Sequence, residues 1–208
     1  MPQKPTVIVV PDVNVYLTAA CQLDRGFSME GLAGRLKEAK SRRNDSDVFC
    51  ALSTLLEPLP DGSAVEIYSG EHIVETAIYK ACQPKYGLTP EDVGLGWKGD
   101  EAQSIADMVY SLVKTTGGSV LPRNGSILNP PLDYEDGSVM RCLADARHES
   151  ALCRRVCLTY DHKMIHVLQP RLGIVSPPME VISPENWCSQ VRASRFSSIY
   201  HRMCGLGQ

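Results

Sequence analysis

Four acidic residues stand where a fold could gather them. Asp12 directly follows the apolar run Thr6-Val7-Ile8-Val9-Val10, and Asp161 comes two residues after Val156-Cys157-Leu158-Thr159. Glu75 shares a helical face with Ile78 and Cys82, and Asp136 shares one with Val139, Leu143 and Ala146. A carboxylate on a packing face is costly unless it is paired or bound to a cation. No basic residue lies at helical spacing on either stripe. Carboxylates brought to one place make a hard, oxygen-rich site suited to Mg²⁺ or Mn²⁺. Such ions clamp phosphodiesters, activate water and stabilise the leaving oxygen, in the two-ion arrangement from positions about 4 Å apart.

The elements that must position these acids alternate between strand and helix. Thr6–Val10 is a β-branched run, long enough for one buried strand and ending before Pro11-Asp12. The pattern from Asn14 to Cys21 is helical. Met29–Arg43 reads as a polar, basic helix and Val48–Leu56 as a second short one, closed by Pro58 and Pro60. Ala64–Tyr68 alternates like a strand, and helix Ile73–Cys82 follows. Asp100 is the expected cap of a helix reaching about Thr115, which Gly117-Gly118 ends. Asn124–Pro131 reads as loop, Asp136–Arg147 as helix, Arg155–Thr159 as strand and Met164–Leu168 as a short helix. Ile174-Val175 is the expected last edge strand. Pro184 at a first helical turn opens a terminal helix through Trp187. Alternation of this kind favours a parallel sheet covered by helices. Ligands of such sheets bind beyond the carboxyl ends of the strands, the edge at which Asp12 and Asp161 both emerge.

Taken in order, Asp12-Val13-Asn14 after a strand, Ser69 six residues before Glu75, Glu135-Asp136 followed by Val139, and Thr159-Tyr160-Asp161 resemble the motifs of PIN-domain nucleases. The closest likeness is to the bacterial toxin-like branch, of which VapC toxins are the best-known members. Ile174–Pro184 resembles that branch's final strand and proline-led segment. The resemblance covers about Thr6–Cys21, Ala64–Cys82 and Asp133–Trp187.

It implies a three-layer α/β/α PIN-like fold with a central, mainly parallel sheet. It also implies a divalent-metal-dependent endoribonuclease that hydrolyses RNA phosphodiester bonds. Carried over residue by residue, Asp12, Glu75, Asp136 and Asp161 form the metal-binding quartet. Asn14 supports it by hydrogen bonding, and Thr159 orients Asp161 or the attacking water. A toxin of a toxin–antitoxin pair is one such protein, with an antitoxin and a second copy of the chain as candidate partners. Pro11 stands where the family usually has an apolar residue with a free N–H, and Val13 replaces the common threonine. The third acid is open among Asp133, Glu135 and Asp136. Residues 1–208 read as one domain with insertions at 24–62 and 94–131, which would serve as lids, substrate guides or partner surfaces.

The chain has 208 residues, with 21 Lys plus Arg against 24 Asp plus Glu, a net charge of −3. That balance disfavours grip on nucleic acid by bulk charge and leaves room for a local basic rim. Lys37, Lys40, Arg42 and Arg43 form one basic cluster, and Arg147, Arg154, Arg155 and Lys163 another. Either could follow an RNA backbone; a solvated face is the plainer reading. No apolar run approaches the roughly 20 residues of a membrane span, and the start lacks a signal peptide, so the expectation is a cytoplasmic protein. The eight cysteines include no Cys-x-x-Cys pair and read as reduced, mostly buried thiols. His162 and His166 are four apart without the intervening Glu of a zinc-protease motif, and read as a solvated or partly buried pair. Gly94-Leu95-Gly96 lacks the pattern of a phosphate loop, and Trp97 beside it reads as core or interface packing.

The competing reading is a non-catalytic PIN-fold module that binds RNA or a protein partner. Phosphotransfer domains are disfavoured, because Asn14 stands where a haloacid-type phosphatase needs its second acid.

Overall fold

The computed structural model describes residues 6–23, 28–41, 47–85, 94–146, 153–172 and 179–203. Their order is β1 (Thr6–Pro11), α1 (Val13–Cys21), α2 (Met29–Ser41), α3 (Asp47–Leu55), β2 (Ala64–Ile67), β3 (Ser69–Gly70), α4 (Glu71–Cys82), α5 (Gly99–Thr116), β4 (Val120–Leu121), α6 (Tyr134–Asp145), β5 (Arg154–Leu158), α7 (His162–Leu172), β6 (Met179–Ile182) and α8 (Pro184–Met203). Four strands form a sheet in the order β2-β1-β5-β6, and every neighbouring pair is parallel. All six residues of β1 are buried. Successive side chains of a strand point to opposite faces, so both faces of the sheet centre are covered. Among the described residues no helix is long and apolar enough to cross a membrane.

The strand does not stop before Pro11. Pro11 closes β1 opposite Leu158, and the Asp12 N–H beyond it donates to the Leu158 carbonyl at 2.8 Å. A proline at the last strand position costs no ladder bond that the next residue cannot make. At the neighbouring strand, the Tyr68 N–H donates to Val9 O at 2.8 Å, after which the chain steps out into β3. β3 pairs with β4 in a separate two-stranded ribbon. Gly117 ends α5 in the left-handed region, φ 80°, where a side chain would be strained. A Cβ on Gly118 would run into the Ile67 carbonyl, so only glycine lets this turn lie against β2.

Both stretches read as insertions contribute to the same buried apolar core as the sheet. From the first come Leu32 and Leu36 of α2 and Phe49 and Leu52 of α3, and from the second Ile105, Met108, Val109 and Leu112 of α5. α3 packs on α8, where the Trp187 indole N–H donates to Thr54 Oγ1 at 2.9 Å.

Several boundaries differ from the sequence reading. Residue Lys98 rather than Asp100 caps α5, and its N–H is taken by Glu101 at 2.7 Å. α6 starts at Tyr134 because Asp133, not Asp136, caps it. The edge strand is Met179–Ile182, where Met179, Val181 and Ile182 are buried and Glu180 turns outward to Arg154. Ile174-Val175 lies outside the described residues. α8 continues well past Trp187, to Met203.

Candidate functional site

Because β1 and β5 are adjacent and parallel, the residues after them leave the sheet side by side. Asp12 is 4% exposed. Its Oδ1 accepts the Val13 N–H at 2.6 Å. Its Oδ2 accepts Asn14 Nδ2 and Thr159 Oγ1, each at 2.7 Å. Thr159 is fully buried, and its hydroxyl is saturated. It donates to Asp12 and accepts from Asn14 Nδ2 at 2.9 Å and from the Asp161 N–H at 3.0 Å. Asn14 Oδ1 takes the Tyr160 N–H at 3.0 Å. Asp161 Oδ1 takes the Met164 N–H at 2.9 Å, the geometry of a helix cap on α7. Asp12 and Asp161 therefore act as caps and also stand at the sheet edge, locked together through Thr159.

The third acid comes from α6, which packs on β1 and β5. Its first turn is pressed against the preceding loop. The Ile127 N–H donates to Gly137 O at 3.0 Å, and a Cβ on Gly137 would strike Ser126 and the Ile127 carbonyl. Asp133 accepts the Asp136 N–H at 2.9 Å and so takes the capping role. Glu135 is paired with Lys80 of α4, Nζ to Oε1 2.7 Å. Asp136 is the member whose charge meets those of Asp12 and Asp161.

The electrostatics report the crowding. Burial foremost, then the charges of Asp133, Asp12, Asp161 and Glu135, together push the Asp136 carboxyl up to about 7. Burial raises Asp12 to about 6 even though Thr159 and Val13 donate to it; Glu135 adds to the rise and Lys80 opposes it. Two neighbouring carboxyls that resist ionisation mark a place where cationic charge is favoured.

Glu75 is not among the charges that raise Asp12 or Asp136. It is exposed, and so is Cys82, while Ile78 is only partly covered. The packing face of α4 is instead His72, Ile73, Val74, Ala77 and Ala81. Spacings of three and four fit both stripes, and the more apolar one turned inward. Glu75 borders the cluster through His72, which is 8% exposed and feels both Glu75 and Glu135; burial foremost keeps His72 neutral by lowering its pKa, and Arg123 adds to this. The pairing of Lys80 with Glu135 was missed at the sequence level, since it joins helices 55 residues apart and leaves no local spacing signal. Ser69 is fully buried.

Two members of the second basic cluster, Arg154 and Arg155, are engaged within the fold. Arg154 makes two 2.8 Å bonds to Glu180 and lies 5.7 Å over the Trp187 ring. Arg155 donates to the carbonyls of Leu143 and Ala144 at 3.2 and 2.7 Å, closing the end of α6. Lys163, His162 and His166 are exposed, and Arg147 lies outside the described residues. In the first cluster Lys40 pairs with Glu57 at 2.6 Å, Lys37 is exposed, and Arg42 and Arg43 lie outside the described residues. Trp97 is 8% exposed, as core packing requires. Cys21 and Cys82 are exposed, and the other described cysteines are buried free thiols.

Among the described residues, no three His, Cys, Asp or Glu side chains stand as a ready-made metal ligand set. The fit to a divalent ion rests on donor chemistry. Asp12, Asp136 and Asp161 offer oxygen alone, and the charges of Asp12 and Asp161 both add to the rise of Asp136. No family model, curated protein or solved structure matches the chain.

Proposed function

We propose that the chain is a PIN-type, Mg²⁺- or Mn²⁺-dependent ribonuclease whose site is Asp12, Asp136 and Asp161. The observation that supports this most is the junction at the carboxyl ends of β1 and β5, where the Thr159 hydroxyl donates to Asp12 and accepts the Asp161 N–H while Asp136 of α6 feels the charge of both acids. A bound divalent ion would supply a water of lowered pKa and stabilise charge on the phosphoryl oxygens. Asp12, Asp136 and Asp161 would hold that ion. Thr159 and Asn14 fix Asp12 so that it is ordered before substrate arrives. Thr159 also holds the Asp161 backbone, so one hydroxyl sets the separation of two acids. Lys37, on the exposed side of α2, is available to phosphate. Incubation of the purified protein with labelled RNAs, in Mn²⁺ and in chelator, is the test. Metal-dependent cleavage lost in Asp12→Asn is expected, and no cleavage of any RNA with either ion would overturn the proposal.

One observation favours a second reading, a non-catalytic module that binds RNA or protein. Both carboxylate oxygens of Asp12 already accept hydrogen bonds from within the chain. RNA binding that ignores metal and survives Asp12→Ala would select that reading.

A further inference from the structure

We infer that Cys50 is a hydroperoxide-reactive thiol and that Cys188 resolves its oxidised form into a disulfide joining α3 to α8. The inference does not depend on the nuclease reading. Three cross-contacts hold α3 and α8 in register. The Trp187 indole N–H donates to Thr54 Oγ1 at 2.9 Å, the Cys188 S–H to the Asp47 carbonyl at 3.8 Å, and an Arg192 N–H to Cys50 Sγ at 3.3 Å. Asp47 and Cys50 are three apart on one helix, and Cys188 and Arg192 are four apart on the other, so each pair shares a face. The Cys50 sulfur therefore lies against the turn of α8 that runs from Cys188 to Arg192. Cys188 senses it there, as a charge and as a hydrogen-bond partner. The Cys50 S–H also reaches the Ala39 carbonyl of α2, at 3.9 Å, so the sulfur stands where three helices meet.

A thiol sealed in apolar surroundings is inert. Cys50 and Cys188 instead both line a cleft of about 650 Å³ between α2, α3 and α8, together with Lys40, Arg192 and Arg195. Lys40 and Arg195 are turned to Glu57, whereas among the described residues no carboxylate stands within ion-pair distance of Arg192. Its guanidinium is directed at the sulfur, where it stabilises the negative charge that makes sulfur nucleophilic. Burial foremost, with Cys50 adding to the rise and Arg192 opposing it, holds Cys188 up at about 12, so Cys188 keeps its proton until the second step. In the first step the Cys50 sulfur attacks the terminal peroxide oxygen. The O–O bond breaks, a sulfenic acid forms, and the departing oxygen takes the Cys50 proton and leaves as an alcohol, or as water from hydrogen peroxide. In the second the Cys188 sulfur attacks the Cys50 sulfur. The S–O bond breaks as the S–S bond forms, and the hydroxyl leaves with the Cys188 proton as water. The two sulfurs are oxidised by two electrons, which the O–O bond receives.

The test maps thiols on the full chain. Reduced protein near pH 7.5 receives one equivalent of hydrogen peroxide, the remaining thiols are alkylated, and the digest is read by mass spectrometry. The expected product is a cross-linked peptide joining Cys50 to Cys188, formed ahead of oxidation at the exposed Cys21 and Cys82. In Cys188→Ser, Cys50 should instead be trapped as a sulfenic acid by dimedone. Arg192→Met should slow formation of the disulfide about tenfold, the worth of roughly one charge-assisted hydrogen bond, and Arg192→Lys should recover most of that rate. Each variant is checked by circular dichroism. Wild-type protein in which Cys50 and Cys188 stay reduced while Cys21 or Cys82 oxidises overturns the inference, a result that needs no variant. Cys50 joined to any other cysteine also overturns it, as does folded Cys188→Ser in which dimedone leaves Cys50 unlabelled. An unchanged rate in folded Arg192→Met overturns the activation on which the choice of Cys50 stands.

Discussion

Replacing Asp136 by Asn tests the cluster without a substrate. In the folded chain its carboxyl is pushed from the ordinary 3.8 to about 7. Those roughly three pH units, at about 1.4 kcal/mol each, set a ceiling of about 4 kcal/mol. Asp136 is only half-buried, so solvent screening reduces this to about 1–2 kcal/mol. A carboxyl raised in the folded state binds more protons there than when unfolded. Its contribution is fully present below about pH 4 and is lost as pH climbs through 7. Asn carries no charge, so the variant escapes that loss. Its backbone N–H still reaches the Asp133 cap, so helix α6 is not weakened. In chelator at pH 8 the variant should melt about 2–8 °C above wild type, from about 2–4 °C per kcal/mol at this chain length. At pH 4 the two should coincide. Adding Mn²⁺ should raise the wild-type melting temperature more than the variant's, because the ion stabilises only the form that holds it. A variant that melts lower than wild type at pH 8, or gains as much at pH 4, would refute the electrostatic account of the cluster.

Asp161→Asn should abolish metal-dependent RNA cleavage and keep the fold, since the amide oxygen can still accept the Met164 N–H; cleavage assays and circular dichroism on one preparation decide this. Thr159→Val should cost about 1.5–3 kcal/mol in urea unfolding, because it strands donors on Asn14 and Asp161 and a charged acceptor on Asp12. The same change should move Asp12 further above about 6, read by carboxyl NMR titration, and Thr159→Ser should restore both. Trp187→Ala should cost about 3–5 kcal/mol in the same unfolding assay, since the side chain is fully buried. If α2 follows the RNA backbone, changing Lys37, Arg42 and Arg43 together to Ala should flatten the slope of log affinity against log salt by about 2. An unchanged slope would make that helix a solvated face.

Much of the fold is legible because its signals are local. β1 is a continuous β-branched run, α5 carries a stripe from Ala102 to Val113, and Gly117 stops it in the conformation expected of a terminal glycine. What the sequence hides is pairing at a distance. β3 and β4 are two residues each, and nothing near Ser69 announces that it will lie beside Val120. The length of α8 was hidden for another reason. After Val191 its residues up to Ser197 face solvent, so no apolar stripe marks how far the helix continues.

The site divides along the same line. Asp12 and Asp161 could be placed because any two adjacent parallel strands deliver the residues after them to one edge. The helical acids could not be placed so surely, since a helix turns about 100° per residue and Asp133, Glu135 and Asp136 fall within an arc of about 160°, less than half its circumference. Three acids in four positions are equivalent to a reader of spacing, and their neighbours make them different. Asp133 meets the backbone of the turn it starts, Glu135 meets an ammonium from α4, and Asp136 meets Asp12 and Asp161. Each of those neighbours is set by helix and strand packing that no local pattern encodes. The same packing left Glu75 on the outer face of α4, because Ile73, Ala77 and Ala81 compete for the inside at the same period and are more apolar. The acid that a spacing rule prefers is therefore less informative than the cation it is packed against. Lys80, which no motif singles out, is the cation that α4 brings to Glu135.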